Sequence, residues 1–139
     1  MGSETSKAVV RRFIDEVFVA GRMEAVDDLV APDFLPHSWP GTGPGPAELK
    51  RAMKRVFAGL SDVSMAIEDM IAEDDRVAVR LTAHAVHTGE FMGMPASGKA
   101  YTIPEIHIFR IRDGRIAEHW GQADLLGMMR QLGAMPGQG

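Results

Sequence analysis

The feature that most constrains this chain is a change in the spacing of its apolar residues near Ser61. Before Ser61 they recur at steps of three and four, which is the spacing of amphipathic helices. After it they alternate with polar or small residues, as in VAVRLTAHAVH, which is the spacing of half-buried strands. Helices first and strands last predict an α+β fold, with the helices on one face of an antiparallel sheet.

Three helices are expected before the change in spacing. The first has an apolar stripe over residues 9–18 and ends near Gly21, and a shorter second helix stops at Pro32. The third begins at Pro46, since proline suits the first turn of a helix. Residues 33–45, DFLPHSWPGTGPG, predict a structured loop because they are rich in proline, glycine and aromatic residues.

Three or four long strands follow, and then a short closing helix around residues 125–129. Two of the strands are joined by GEFMGMPASGK, which is expected to be a loop that covers the mouth of a pocket. The last two strands are joined by a turn at Asp113 and Gly114. The better-defined strands are predicted at 76–87, 101–111 and 115–121.

The length and composition fit one domain over residues 1–139, with ends that fray at about 1–4 and 133–139. The absence of cysteine excludes disulfides, thiolate metal sites and cysteine nucleophiles. A net charge of −4 with interspersed cations argues against a nucleic-acid partner. Without an export signal or a long apolar run, we expect a cytoplasmic protein with no membrane partner.

The string FRIRDGRIAEHWGQADLLGMMRQLG resembles the SnoaL-like polyketide cyclase family, which has the nuclear transport factor 2-like fold. The resemblance extends over nearly the whole chain, including KAVVRRFIDEVFVAGRMEAVDDLVAPDFLPHSW and the loop rich in glycine, methionine and proline. It implies a cone-shaped fold, in which N-terminal helices and a curved antiparallel sheet enclose a mostly apolar pocket. It also implies a small apolar or polycyclic metabolite as ligand, and a homodimer or higher homo-oligomer.

The same resemblance implies two catalytic positions, His119 and the residue fourteen positions earlier, Glu105. In the cyclases these positions hold a histidine and an aspartate, with the carboxylate as acid and base, and in the related hydroxylases the two types are exchanged. This chain has the carboxylate first, as glutamate. A carboxylate facing an imidazole in an apolar cone can transfer protons near neutral pH. The alternative is a partly buried ion pair with a structural role.

The turn decides which side chains share a face of the sheet. If Gly114 is a left-handed bulge residue, two residues lie opposite each other when their numbers add to about 226. His107 then faces His119. A plain two-residue turn would shift the register by one and place His119 on the other face. We adopt the bulge because the resemblance puts His119 in the pocket. The expected concave residues are Glu105, His107, Phe109, Ala117 and His119, and the expected convex residues are Ile106, Ile108 and Trp120.

Asp124 is a second candidate acid or base, although aspartate before a helix is commonly a cap. No metal site is predicted, because HxH or HxxxH spacing with a carboxylate is missing. No phosphate-binding glycine motif or nucleophilic serine motif occurs either, so no cofactor is expected. The residues expected to bind substrate are His37, Trp39, Phe57, Met92, His107 and Phe109.

The favoured function is a cofactor-independent enzyme that removes a proton alpha to a carbonyl and closes a ring by an intramolecular aldol reaction. Hydration or hydroxylation in the same pocket is an alternative, suggested by the order of the pair. An epoxide hydrolase would need two aspartates beside an arginine such as Arg80, and the sequence does not place them. A ligand-binding or assembly module without catalysis is the remaining alternative, since fold does not fix function.

Overall fold

The computed structural model describes residues 2–134. Of the ends predicted to fray, about 1–4 and 133–139, Met1 and 135–139 lie outside the described residues, and Ser3 and Glu4 belong to the first helix. The helical elements are α1 (Ser3–Phe13), a π-helix (Ile14–Val19), α2 (Glu24–Leu29), α3 (Pro46–Gly59) and α4 (Leu125–Gln131). The strands are β1 (Val30–Pro36), β2 (Leu60–Glu73), β3 (Arg76–His87), β4 (Ala100–Arg112) and β5 (Arg115–Ala123). None of the described helices is long and apolar enough to cross a membrane.

Helices packed on one face of a curved sheet confirm the predicted α+β fold. Within residues 2–134 the five strands are ordered β1-β5-β4-β3-β2. The apolar stripe of α1 and the π-helix is buried, from Val10 to Phe18. It packs against the concave face of the sheet, where alternate residues of β3 such as Val77 and Leu81 are also buried. Irregularities in the β2 pairing near Ser61 and Ile67 bend the sheet around this core.

The edge strand β1 differs from the sequence prediction, which had placed residues 33–45 in a loop. β1 runs parallel to β5, so the sheet is mixed and the prediction of a purely antiparallel sheet is wrong at this edge. Pro32 and Pro36 lie within β1. Prolines are tolerated there because an edge strand needs ladder bonds on only one side. The second helix accordingly ends at Leu29, before Pro32.

The β4–β5 hairpin corrects the predicted register. Asp113 and Gly114 have φ of 52° and 74° and form a two-residue turn with left-handed residues. Ala117 is then an extra residue, because Ile111 pairs with Ile116 whereas Arg110 pairs with Glu118. His119 therefore lies opposite Phe109, and His107 opposite Gly121.

The alternation predicted for the hairpin is nevertheless confirmed. The two-residue turn moves the register by one residue, and the bulge at Ala117 moves it by one more in the same direction. His107 and His119 consequently remain on one face, where both are buried. Ile106 and Ile108 are exposed on the opposite face, and Trp120 pairs with Ile108 there.

Candidate active site

The concave face of the sheet, α3 and the loop after β3 enclose a cavity of about 800 Å³. Most of its wall is apolar. Loop residues Phe91 and Met92 line the cavity, so the loop predicted at its mouth does border it. The apolar side chains that line the cavity include Phe18, Trp39, Met53, Val56, Met65, Phe91, Met92, Ile103 and Met128.

A chain of hydrogen bonds runs from the cavity into the core. Glu105 and His107 line the cavity on β4, and the Glu105 Oε1 to His107 Nε2 distance is 2.8 Å. His107 Nδ1 lies 2.8 Å from Nε2 of His119, which comes from β5. With Glu105 ionised and both imidazoles neutral, each hydrogen has one possible place: His119 donates to His107, and His107 donates to Glu105.

His119 forms the buried end of this chain, with 1% of its surface exposed. Burial and the neighbouring His107 hold the pKa of His119 well below its usual value, so the ring is neutral at pH 7. Its Nδ1 has no partner within the described residues. His119 does not line the cavity, so it can act on a ligand only through His107.

Gly121 provides the space in which the two imidazoles meet. A Cβ at this position would lie 2.7 Å from His107 Nδ1 and 3.0 Å from His119 Cε1. Both neighbours belong to rigid buried rings, so they cannot move aside as the end of a flexible side chain would. Glycine is required here by the close approach of the two histidines.

Aromatic rings surround the imidazole pair on several sides. The centroid of Phe18 lies 5.7 Å from that of His107, and the centroid of Trp39 lies 5.1 Å from that of His119. Phe109 packs against His119 with a centroid distance of 4.9 Å. This shell buries His119 and packs against both imidazole rings, while His107 still borders the cavity.

Tyr101 is a pocket residue that the sequence analysis missed. It lies on β4 four positions before Glu105, so both side chains are on the concave face. Burial, and secondarily the charge of Glu105, raise the pKa of Tyr101 to about 12. The signal was present in the sequence, because the strand alternation that placed Glu105 in the pocket applies equally to Tyr101.

The structure places four of the predicted site residues on the cavity wall: Glu105, His107, Trp39 and Met92. Phe109 lies on the concave face but is fully buried beside His119 and does not reach the cavity. Its predicted contact with substrate is therefore wrong, and it supports the imidazole pair instead.

His37 is on the convex side of the sheet, which corrects its predicted place in the pocket. Its backbone N–H bonds to the carbonyl oxygen of His119 at 2.9 Å, so its position follows β1 along the edge of the sheet. The ring stacks on Trp120 with a centroid distance of 4.7 Å, and its Nε2 lies 2.7 Å from Glu118. The ring therefore faces away from the cavity.

Phe57 and Asp124 also lie outside the cavity wall. The Phe57 ring packs over Gly21, where an added Cβ would be 3.1 Å from it. Asp124 accepts a hydrogen bond of 2.9 Å from the Gly127 amide and caps α4, the alternative that the sequence also allowed. Neither residue is placed to contact a ligand in the pocket.

Two other chemistries can be compared with the structure. Arg80 is exposed and pairs with Asp69 at 2.7 Å, so this candidate arginine for an epoxide-hydrolase arrangement does not line the pocket. Among residues 2–134, no three histidine, aspartate or glutamate side chains converge as a metal site would require. On β4 the polar groups of the pocket are the carboxylate of Glu105, the imidazole of His107 and the phenol of Tyr101. Other elements add the polar residues Ser38, Thr42, Arg55, His84, Glu90 and Gln122 to the wall.

This chain resembles known proteins in family, in sequence and in structure. The model of the family described as SnoaL-like polyketide cyclase matches residues 8–132. The chain is 31% identical over 119 residues to nogalonic acid methyl ester cyclase of Streptomyces nogalater, which covers 84% of this chain and 89% of that protein. It is 32% identical over 137 residues to aklanonic acid methyl ester cyclase AcmA of Streptomyces galilaeus. That match covers 91% of this chain and 89% of AcmA. The structure of TsrD from Streptomyces laurentii superposes with a TM-score of 0.89 at 29% identity, covering 97% of this chain and 99% of that one.

Proposed function

Because this chain belongs to the SnoaL-like polyketide cyclase family, we propose that it closes a ring in an apolar polyketide by intramolecular aldol addition. The chain is a cyclase-type enzyme, like its named relatives. The observation that carries the proposal is the chain of hydrogen bonds from Glu105 on the cavity wall, through His107, to the buried His119. A carboxylate held in this way can act as the base that an aldol reaction needs.

The proposed reaction begins when Glu105 takes a proton from the carbon beside a substrate carbonyl. The resulting enolate carbon forms a carbon–carbon bond with a second carbonyl carbon of the same molecule, and the oxygen of that carbonyl becomes an alkoxide. The proton on Glu105 then passes to the alkoxide and gives a hydroxyl group. The product is an isomer of the substrate, so the step consumes neither oxidant nor reductant.

The two histidines have positioning roles in this proposal. His107 Nε2 donates to Oε1 of Glu105 and leaves Oε2 for the substrate. His119 fixes the ring of His107 from behind, through the contact between Nε2 and Nδ1. Because His119 does not line the cavity, its predicted catalytic role is revised here to the orientation of His107.

The substrate class follows from the wall of the cavity and from the relatives. A volume of about 800 Å³, lined by Phe, Trp and Met side chains, suits a planar polycyclic molecule. The relatives are named as cyclases of nogalonic and aklanonic acid methyl esters. These two esters are the first substrates to test.

We expect Glu105→Gln to lower turnover of a cyclised ester by about 10²-fold or more, since it removes the base and keeps the size of the side chain. Ring closure is measured by chromatography, and the Kd of the ester by fluorescence titration. Affinity should change little, because an apolar ligand is held mainly by the walls. Thr82→Val, which removes a hydroxyl paired with exposed Glu68, is the control. Undiminished turnover by Glu105→Gln would refute the proposed base, and failure of the wild-type enzyme to cyclise either ester would refute the proposed substrates.

We also propose that the convex face of β4 and β5 is covered by a second copy of this chain. Ile106 is 54% exposed and Ile108 is 37% exposed, so a single copy leaves apolar surface in water. A twofold interface would bury the same face on both copies. Light scattering at micromolar concentration measures the mass that decides between one copy and two.

A further inference from the structure

Tyr101 is the one tyrosine of this chain, and it lines the cavity. It lies opposite Ala85 in the β3–β4 pairing and is 6% exposed. Its side chain shares the concave face with those of Glu105 and His107. One strand thus brings a phenol to the same cavity as the proposed base.

The hydroxyl of Tyr101 makes no hydrogen bond within the described residues. Its pKa is affected by burial and by the charge of Glu105. Buried polar groups in native proteins almost always have a partner, and tyrosine hydroxyls are no exception. A phenol that borders a cavity without a protein partner is therefore available to a group on a ligand.

We propose that Tyr101 is a further catalytic residue, whose O–H donates a hydrogen bond to the substrate carbonyl oxygen that becomes the alkoxide during ring closure. This inference rests on the proposed aldol function. The negative charge on that oxygen develops in the transition state, and a fixed donor in an apolar pocket stabilises it most at that point.

The surroundings of Tyr101 fit a donor and do not fit a base. Its raised pKa, about 12, keeps the phenol protonated at neutral pH. The Cα atoms of Tyr101 and Glu105 are separated by about 13 Å of strand. Both side chains line the cavity, so a bound molecule of that length can contact them at two separate points. Glu105 can then serve the carbon that loses its proton, and Tyr101 the carbonyl that is attacked.

The first test is Tyr101→Phe in the complete protein, with an ester that the wild-type enzyme cyclises. Loss of one oxyanion donor is expected to lower kcat by about 10²-fold. KM should change by less than about threefold, because the lost bond forms mainly in the transition state. Thr82→Val again controls for loss of a hydroxyl. A tenfold rise in KM with unchanged kcat would assign Tyr101 to ground-state binding and overturn the proposal.

The second test does not depend on turnover. Once the oxyanion has formed, Glu105 carries the proton and is neutral, and Glu105→Gln reproduces that neutral state. Binding of 4-nitrophenolate to the Glu105→Gln protein, followed by absorbance, reports donors that face an anionic oxygen. Adding Tyr101→Phe should weaken this binding by about tenfold, the loss of one charge-assisted hydrogen bond. Weakening of less than twofold, or no binding to Glu105→Gln at millimolar concentration, would overturn the proposal.

The two proposals can fail separately. If Glu105→Gln abolishes turnover and Tyr101→Phe leaves it unchanged, the base stands and the oxyanion donor is wrong. If the wild-type enzyme cyclises neither ester, the proposed substrates fail, and nitrophenolate binding still decides whether Tyr101 is a donor to an anionic oxygen. A thermal unfolding curve of each variant separates lost function from lost structure.

Discussion

The two faces of the β4–β5 hairpin contact histidines in different surroundings. On the concave face His119 is sealed among aromatic rings beside another imidazole, and its pKa is well below the usual value. On the convex face His37 bonds to Glu118, which also pairs with Arg110. These partners hold the pKa of the Glu118 carboxyl below its ordinary value, the His37 bond having the larger effect. Adjacent residues of one strand, Glu118 and His119, thus support a partly buried ion-paired cluster on one face and a buried hydrogen-bonded chain on the other.

The contrast shows that the same residue type gains its chemistry from the side of the sheet on which it lies. The convex cluster still reaches solvent, with 22% of the Arg110 side chain and 18% of the Glu118 side chain exposed, and ion pairs near water contribute little to stability. The concave chain depends on exact packing, since a buried polar group without its partner is costly. We therefore expect changes on the concave face to have much larger effects than changes on the convex face.

Among the changes that test this contrast between the two faces, Gly121→Ala is expected to have the largest effect on turnover. The added Cβ would collide with His107 and His119 and break the hydrogen bond between them. Because a misplacement of about 1 Å in a catalytic group can cost 10²-fold in rate, turnover should fall by roughly that factor. Gly43→Ala, where the nearest neighbour is the flexible end of Glu48, is the matched control. Normal turnover by Gly121→Ala would mean that the His–His contact does not orient the base.

A smaller effect, on the free energy of unfolding, is expected when the pH is lowered. His119 has a lowered pKa when folded, so below its unfolded pKa of about 6.5 the unfolded chain binds a proton that the folded chain does not. Stability from this group is complete above that pH and is lost as the pH falls, by up to about 1.4 kcal/mol per unit. Urea unfolding of wild type and His119→Phe between pH 5 and pH 8 isolates the contribution. The wild-type advantage should shrink towards pH 5, and parallel curves would contradict a neutral, buried His119.

The smallest effect on chemistry is expected on the convex face. Ile106→Lys places a charge where apolar surface is now exposed, so it should prevent self-association and leave turnover within about twofold. Light scattering should give about twice the chain mass of 15.1 kDa for the wild type and one mass for the variant. A monomeric wild type would contradict the second copy. A large loss of turnover would mean that the two faces are coupled.

The sequence predicted the elements whose signals are local. Alternation placed Glu105 and His107 on the concave face and Ile106 and Ile108 on the convex face, and the structure confirms it. It did not predict β1, because a parallel edge strand pairs with a segment about eighty residues away and tolerates prolines that look like loop residues. His37 was misplaced for the same reason, since its direction depends on that pairing.

The sequence also failed to predict how far a side chain lies from the cavity and which residues pair across the β4–β5 hairpin. Alternation gives the face of a side chain but not its distance from the cavity, so Phe109 and His119 were expected at the wall although they lie behind it. The turn was expected to contain one bulge, and the strand contains it at Ala117 instead. The predicted and observed registers differ by two residues, so they leave the same side chains on each face of the sheet. The predicted face of His119 was therefore right, although the residue predicted opposite it was wrong.

The π-helix at Ile14–Val19 has a consequence for comparing this chain with its relatives. Its wider turn, seen in the bond from the Ala20 amide to the Asp15 carbonyl oxygen, holds one residue more than an α-helix needs for the same rise. A relative with an uninterrupted α-helix would match this segment only with a one-residue gap. If the gap is placed after Phe18, that ring is equated with a side chain on another face of the helix. Counts of shared pocket residues in this family will therefore depend on gap placement within these six positions.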